Sequence, residues 1–143
     1  MENKVIEVNG NLFDADESFS LVHCVSKDFA MGKGIALEFK RRFGRVEELK
    51  RQNARIGGMA YLPVSRRYIV YLVTKEKYFH KPTYESLRSS LINLKDFCLE
   101  NRISNLAMPR IGCGLDQLHW ETVFPLIQEV FSPTPIRIAI YTF

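Results

Sequence analysis

The run YIVYLVT at 68–74 constrains the fold more than any other stretch. It is apolar at nearly every position rather than at every second one, so a strand built from it must be covered on both faces. Shorter strand-like runs lie at 5–8, 21–25, 105–108 and 136–142, with a weaker one at 59–62. Between them fall helical patterns, at 35–43 continuing into 46–53, at 84–100 and at 120–131. The pattern at 84–100 is the clearest, because Tyr84, Leu87, Leu91, Leu94 and Cys98 recur at three- and four-residue steps and form one apolar stripe. Thr83 is placed to cap that helix, and Glu85 complements its dipole. Strands alternating with helices of this length predict an α/β fold, a three-layer α/β/α sandwich on a mixed, largely parallel sheet. No repeat, linker or low-complexity run divides the chain, so residues 1–143 are read as one domain.

Composition narrows the function. The 143 residues, 46% hydrophobic and 25% charged, suffice for one buried core, and a net charge of +4 favours anionic partners. Three cysteines, Cys24, Cys98 and Cys113, are odd in number and far apart, which fits a reducing compartment. The first residues carry no signal-peptide pattern, and no apolar run approaches the roughly 18 residues of a spanning helix. These features predict an intracellular protein of the nucleus or cytoplasm, a monomer with no membrane partner.

In a parallel α/β sheet, ligands bind outside the carboxyl ends of the strands. Three loops qualify. The first, SKDFAMGKGIALEF, brings Gly32 and Gly34 just before a helix; the second begins at Lys75; the third is MPRIGCGLD, with Gly112, Cys113 and Gly114. Two glycine turns that each feed a helix make a plausible diphosphate cradle, since glycine admits close approach and turn amides supply donors. Neither turn is a dinucleotide fingerprint or a nucleotide-triphosphate loop: both lack the third glycine, and no Ser or Thr follows Lys33.

Lys75 and Asp116 are the leading catalytic candidates. A strand-end lysine near Lys77, His80 and Lys81 would gain nucleophilic character from neighbouring cations and partial burial; a solvated loop lysine is the plainer alternative. Asp116 reads equally as a turn residue or a general base. His23, His80, His119 and the cysteines show no metal-ligand spacing, so neither a metal nor another cofactor is expected. His23 and Cys24, adjacent on a strand, should point to opposite faces.

The segments GNLF, HCVSKDFAMGKGIALEFKRRFG, RYIVYLVTK, HKPTYESLRSSL, MPRIGCGLD and the ending IYTF together resemble the macrodomains, and within them the terminal ADP-ribose protein glycohydrolases. The resemblance implies a single macrodomain that binds ADP-ribose and removes it from mono-ADP-ribosylated proteins, and the basic stretches leave ADP-ribosylated nucleic acid open as a further carrier. It selects Lys75 over Lys81 as nucleophile and Asp116 as its acid/base partner. Ligand contacts implied are Asn11, Leu12, Ser26, Gly32, Gly34, the run Arg110, Ile111, Gly112, Cys113, Gly114 and Leu115, and Phe143. Asn11 stands where the family pattern carries aspartate, and Lys33 where a small residue is usual. The Asn-Ala-Ala-Asn segment and triple glycine of the water-directed macrodomain hydrolases do not occur. The competing expectations are a non-catalytic ADP-ribose-binding module and a phosphatase or deacylase acting on ADP-ribose phosphate or O-acetyl-ADP-ribose.

Overall fold

The structure is a computed structural model and describes residues 4–142. In chain order the elements are β1 (Val5–Asn9), β2 (Ser20–Ser26), α1 (Gly34–Phe43), α2 (Val46–Arg51), β3 (Gly58–Val64), β4 (Arg67–Lys75), α3 (Tyr84–Glu100), β5 (Asn105–Met108), α4 (Trp120–Phe131) and β6 (Arg137–Thr142), with a short 3-10 turn at Leu12–Asp14. They form one six-stranded sheet in the order β1-β6-β5-β2-β4-β3. Every neighbouring pair is parallel except β3 with β4. The mixed, largely parallel sheet expected from the sequence is therefore present.

Strand β4 divides its side chains between two cores, as a strand covered on both faces must. Val70 and Leu72 join Leu87, Leu91, Leu94, Val123 and Ile127 of α3 and α4 on one face. Ile69, Tyr71 and Val73 join Phe39 of α1 and Leu49 of α2 on the other. Each fully buried leucine of this kind contributes about 2 kcal/mol of hydrophobic stabilisation before its entropy cost. Cys24 packs with the first core, while His23 stacks on Phe39 at 3.7 Å between ring centroids in the second; the two neighbours do point apart.

Helix α3 begins as read, with the Thr83 hydroxyl accepting from the Ser86 amide in a capping box. The Ser86 hydroxyl also donates to the Thr74 carbonyl at 2.7 Å, fixing the start of α3 to the end of β4. The pattern at 35–53 forms two helices that part at Gly44. Gly44 ends α1 at φ 54°, and Arg45 starts α2 in the left-handed region at φ 54°. A non-glycine residue is held there because its guanidinium grips Glu48 with two nitrogens and donates to the Pro63 carbonyl.

Candidate active site

Because β1, β6, β5, β2 and β4 are parallel, their carboxyl ends share one edge of the sheet. The segments following Asn9, Ser26, Lys75 and Met108 gather there beside the end of β6 at Thr142, and the described sequence-predicted site residues lie along this edge.

Lys75 is the last residue of β4. The register between β2 and β4 runs evenly from Leu21 opposite Ile69 to Val25 opposite Val73, then jumps so that Ser26 pairs with Lys75. The irregularity adds a residue to β4 and turns the strand end, a device common beside active sites. The Lys27 amide donates to the Lys75 carbonyl at 2.8 Å and keeps both chains together past the jump. Asp116 reaches the same place from the loop after β5: its Oδ1 lies 2.5 Å from Lys75 Nζ, 41 positions away in sequence. The two side chains are 12% and 16% exposed. The other ion pairs among the described residues join side chains at least 39% exposed.

The charge beside Lys75 is thus a carboxylate, which corrects the expectation of a cationic neighbourhood. Lys81 turns away and donates to the Leu115 carbonyl at 2.9 Å. The Lys77 amide donates to His80 Nδ1. Beneath the pair, burial and then the Asp116 and Cys113 charges push the Cys24 thiol above its ordinary range, so it stays protonated and inert. Burial likewise raises Cys113, whose thiol donates to the Ile111 carbonyl at 3.4 Å.

The two glycine turns are built differently. Gly34 opens α1 at φ +60°, after the exposed Lys33 in the N-cap position, so the unpaired first amides of that helix lie at the site edge. Gly112 has φ +74°. The Cys113 amide donates to the Arg110 carbonyl and the Leu118 amide to the Gly112 carbonyl. This second turn is separated from α4 by Leu115 to His119, so only the first feeds a helix directly.

The other sequence-predicted contacts are spread around this edge. Asn11 caps the 3-10 turn, its Oδ1 accepting from the Phe13 amide at 2.9 Å. Leu12 and Ile111 are core residues, which leaves only their backbone to a ligand. Ser26 is buried, and its hydroxyl donates to Asp28. Arg110 pairs with Glu7 at 2.8 Å and lies over the Trp120 ring at 5.3 Å. An open cavity of about 470 Å³ lies between the second turn and the end of β6, lined by Arg110, Cys113, Gly114, Trp120 and Thr142 among others. Leu115 is exposed and stands near Gly34, from the opposite turn. Phe143 lies outside the described residues.

Sequence reading missed Asp28. One of its oxygens accepts from the Ser26 hydroxyl and the Ala30 amide, the other from the Tyr78 amide, so it ties the loop after β2 to the loop after β4. Burial would raise this carboxyl, but the three hydrogen bonds and the Lys77 charge outweigh it and hold it below the ordinary carboxylate range. The available signal was an aspartate in a strand-to-helix turn, a position that favours side-chain to backbone bonding. Tyr84 was read only as a core stripe residue, yet its hydroxyl accepts from the His119 amide and holds the end of the MPRIGCGLD loop.

The chain is 51% identical over 140 residues to "ADP-ribose glycohydrolase OARD1" of Bos taurus, covering 98% of this chain and 92% of that protein. It is 34% identical over 134 residues to "DNA ADP-ribosyl glycohydrolase" of Thermus aquaticus, covering 87% of this chain and 37% of that one. Among solved structures, the macrodomain of Mycobacterium tuberculosis DarG superposes with a TM-score of 0.88 at 29% identity, covering 97% of each chain. The Macro domain model matches residues 22–127, most of the described chain and both members of the Lys75–Asp116 pair, and the chain belongs to the Macro domain family.

Proposed function

We propose that the protein is an ADP-ribose glycohydrolase that removes ADP-ribose from glutamate or aspartate esters on mono-ADP-ribosylated proteins. The observation that carries this reading is the Lys75 Nζ to Asp116 Oδ1 contact of 2.5 Å at the strand ends, in a site where both groups are largely withdrawn from water. A nucleophilic amine needs a partner to take its proton, and Asp116 is already bonded to it. The similarity to OARD1 over nearly the whole chain supports the same activity.

In the proposed reaction, Asp116 takes a proton from the Lys75 ammonium, and the freed amine attacks the anomeric carbon of the distal ribose. The bond from that carbon to the carboxylate oxygen breaks, and the acceptor leaves with the electron pair. Carboxylate is a good leaving group, so the step needs no second acid. Water then adds to the same carbon, the bond to Nζ breaks, and Lys75 recovers its proton as ADP-ribose departs. The Gly32–Gly34 turn and the Gly112–Gly114 turn are proposed to hold the diphosphate from opposite sides. O-acetyl-ADP-ribose offers a similar carboxylate leaving group and is a secondary substrate in this reading.

The test is incubation with ester-linked ADP-ribosylated protein, with and without borohydride, followed by mass spectrometry. The lysyl adduct reaches its imine form when the ring C–O bond of the ribose opens and Nζ gives up a proton. Borohydride reduces that C=N bond, so wild type should release ADP-ribose and yield a reduced adduct on Lys75. Lys75→Ala should lose the adduct and about a thousandfold or more of the rate. Release by Lys75→Ala at the wild-type rate rules out the covalent route. Tight ADP-ribose binding without turnover by wild type favours the binding module instead.

A further inference from the structure

The segment Lys77-Tyr78-Phe79-His80-Lys81 follows the catalytic lysine and is not used by the reaction above. Tyr78 and Phe79 are 64% and 66% exposed, the most exposed aromatic side chains among the large hydrophobics of the described residues. Their rings meet edge to face at 5.3 Å, and Phe79 meets His80 in the same manner at 4.7 Å. An edge-to-face contact covers one face of only one of its two rings, and the exposure of both side chains leaves ring surface open to solvent.

The turn that carries them is held at several points. The His80 amide donates to the Lys77 carbonyl, and the Lys77 amide to the His80 ring nitrogen. Tyr78 is fastened to Asp28 through its amide, and Lys81 to the Leu115 carbonyl. The first contact anchors the turn to the loop after β2, the second to the loop that bears Asp116. Tyr78 lies three residues beyond Lys75, so their α-carbons are at most about 11 Å apart. The aromatic pair therefore borders the reacting groups on a fastened turn, where ordering it for a partner costs little entropy.

Charge decides which partner fits. Lys77 and Lys81 flank the rings, and the exposed Lys27 sits on the loop that Asp28 joins to them. Glu76 is the one opposing exposed carboxylate in the segment, since Asp28 is committed to its three donors. Open aromatic faces interleaved with lysines are the surface that single-stranded nucleic acid takes: bases stack on the rings while phosphates meet the cations. An acidic peptide would use the lysines but not the ring faces.

We infer that Tyr78 and Phe79 form a stacking platform for single-stranded nucleic acid beside the Lys75–Asp116 pair, positioned to hold a carrier strand. The inference rests on the active site proposed above for its place in the reaction, but not for the binding itself.

The experiment has two arms. In the first, fluorescence anisotropy follows a labelled 12-nucleotide deoxythymidine strand binding to wild type, to Tyr78→Ala/Phe79→Ala and to Tyr78→Phe/Phe79→Tyr. The alanine variant should bind about tenfold more weakly or worse, and the aromatic exchange should retain affinity. An unchanged thermal midpoint is expected, because both side chains are exposed. In the second arm, the unlabelled strand should inhibit ADP-ribose release from ester-linked protein by wild type and should not inhibit the alanine variant, whose uninhibited rate stays at the wild-type level. Equal strand affinity for wild type and the alanine variant overturns the platform. So does selective loss of an oligoglutamate peptide in the same assay, which would assign the surface to a protein carrier. Strand binding that depends on the rings, in a protein that releases no ADP-ribose, leaves the platform standing and removes the hydrolase reading.

Discussion

Gly32-Lys33-Gly34 and Gly112-Cys113-Gly114 share one pattern in sequence, yet the fold asks different things of them. A Cβ at Gly112 would stand 2.9 Å from Leu118 Cδ1, with Leu87 behind it, and φ there is +74°. A Cβ at Gly32 or Gly114 would meet nothing within 4 Å. Gly34 is intermediate, with φ +60° but only ordinary contact with Leu115. One glycine is thus required by packing and conformation, one by conformation, and two by neither. A pattern of paired glycines conceals this distinction because it records what a side chain lacks, not what surrounds it. The two turns also differ in their supports. Behind the first stand Asp28 and the His23–Phe39 stack, whose carboxyl and imidazole take up protons in acid; behind the second stand the side chains of Leu87 and Leu118, which do not.

The largest expected effect follows from Gly112. Gly112→Ala forces a left-handed alanine against an apolar neighbour, and the two penalties together should cost about 2–4 kcal/mol. Thermal or denaturant unfolding would read this directly. A variant as stable as wild type would show that Leu118 moves aside freely and that the second turn is as open as the first.

Next is acid. His23 is fully buried, neither ring nitrogen has a hydrogen-bond partner among the described residues, and burial lowers its value from 6.5 to about 3. The folded protein therefore keeps His23 neutral where the unfolded chain protonates it. The stability is complete above about pH 6.5 and drains as pH falls toward 3, a loss of about 2 kcal/mol by pH 5. Asp28, held low, contributes in the same direction but only as pH falls below the ordinary carboxylate range. His23→Phe should preserve stacking on Phe39 and flatten the stability profile between pH 7 and 5, measured by urea unfolding at each pH. Amide exchange should also show the first turn opening before the second as pH falls. Simultaneous opening would break the contrast between a titratable and an apolar support.

These differences show what the sequence could and could not convey. Strand β4 was legible because its apolar character is local, and the Thr83 cap because its hydrogen bond closes within a few residues. Lys75 was legible as the residue ending that strand. The partnership with Asp116 was not, since it depends on how the loop after β5 folds back across 41 positions, and only family resemblance selected it. Asp28 escaped notice for the same reason: its decisive bond is to an amide 50 positions away. The break at Gly44 could be read from glycine, but the restart at Arg45 requires contacts with Glu48 and Pro63 that exist only after folding.

A smaller effect belongs to Gly34. Gly34→Ala retains space but not conformation, so a loss of about 1 kcal/mol is expected, without the packing penalty of Gly112→Ala. Unfolding of both variants side by side would separate the two contributions. Equal losses would mean that the left-handed backbone alone accounts for Gly112.

The smallest effect on stability carries the most information about function. Gly32→Ala and Gly114→Ala enter open space at positions without a left-handed backbone, so each should leave stability within about 0.5 kcal/mol of wild type. If the two turns approach a diphosphate from opposite sides, that open space is where the ligand lies, and an added methyl group should weaken ADP-ribose binding by about tenfold in calorimetry. A stability change with unchanged affinity would place these glycines in the fold rather than the site. Loss of affinity at Gly114 alone would confine the diphosphate to the second turn and leave the helix α1 amides without a ligand role. Loss at both, with stability intact, is the outcome that a two-sided cradle requires.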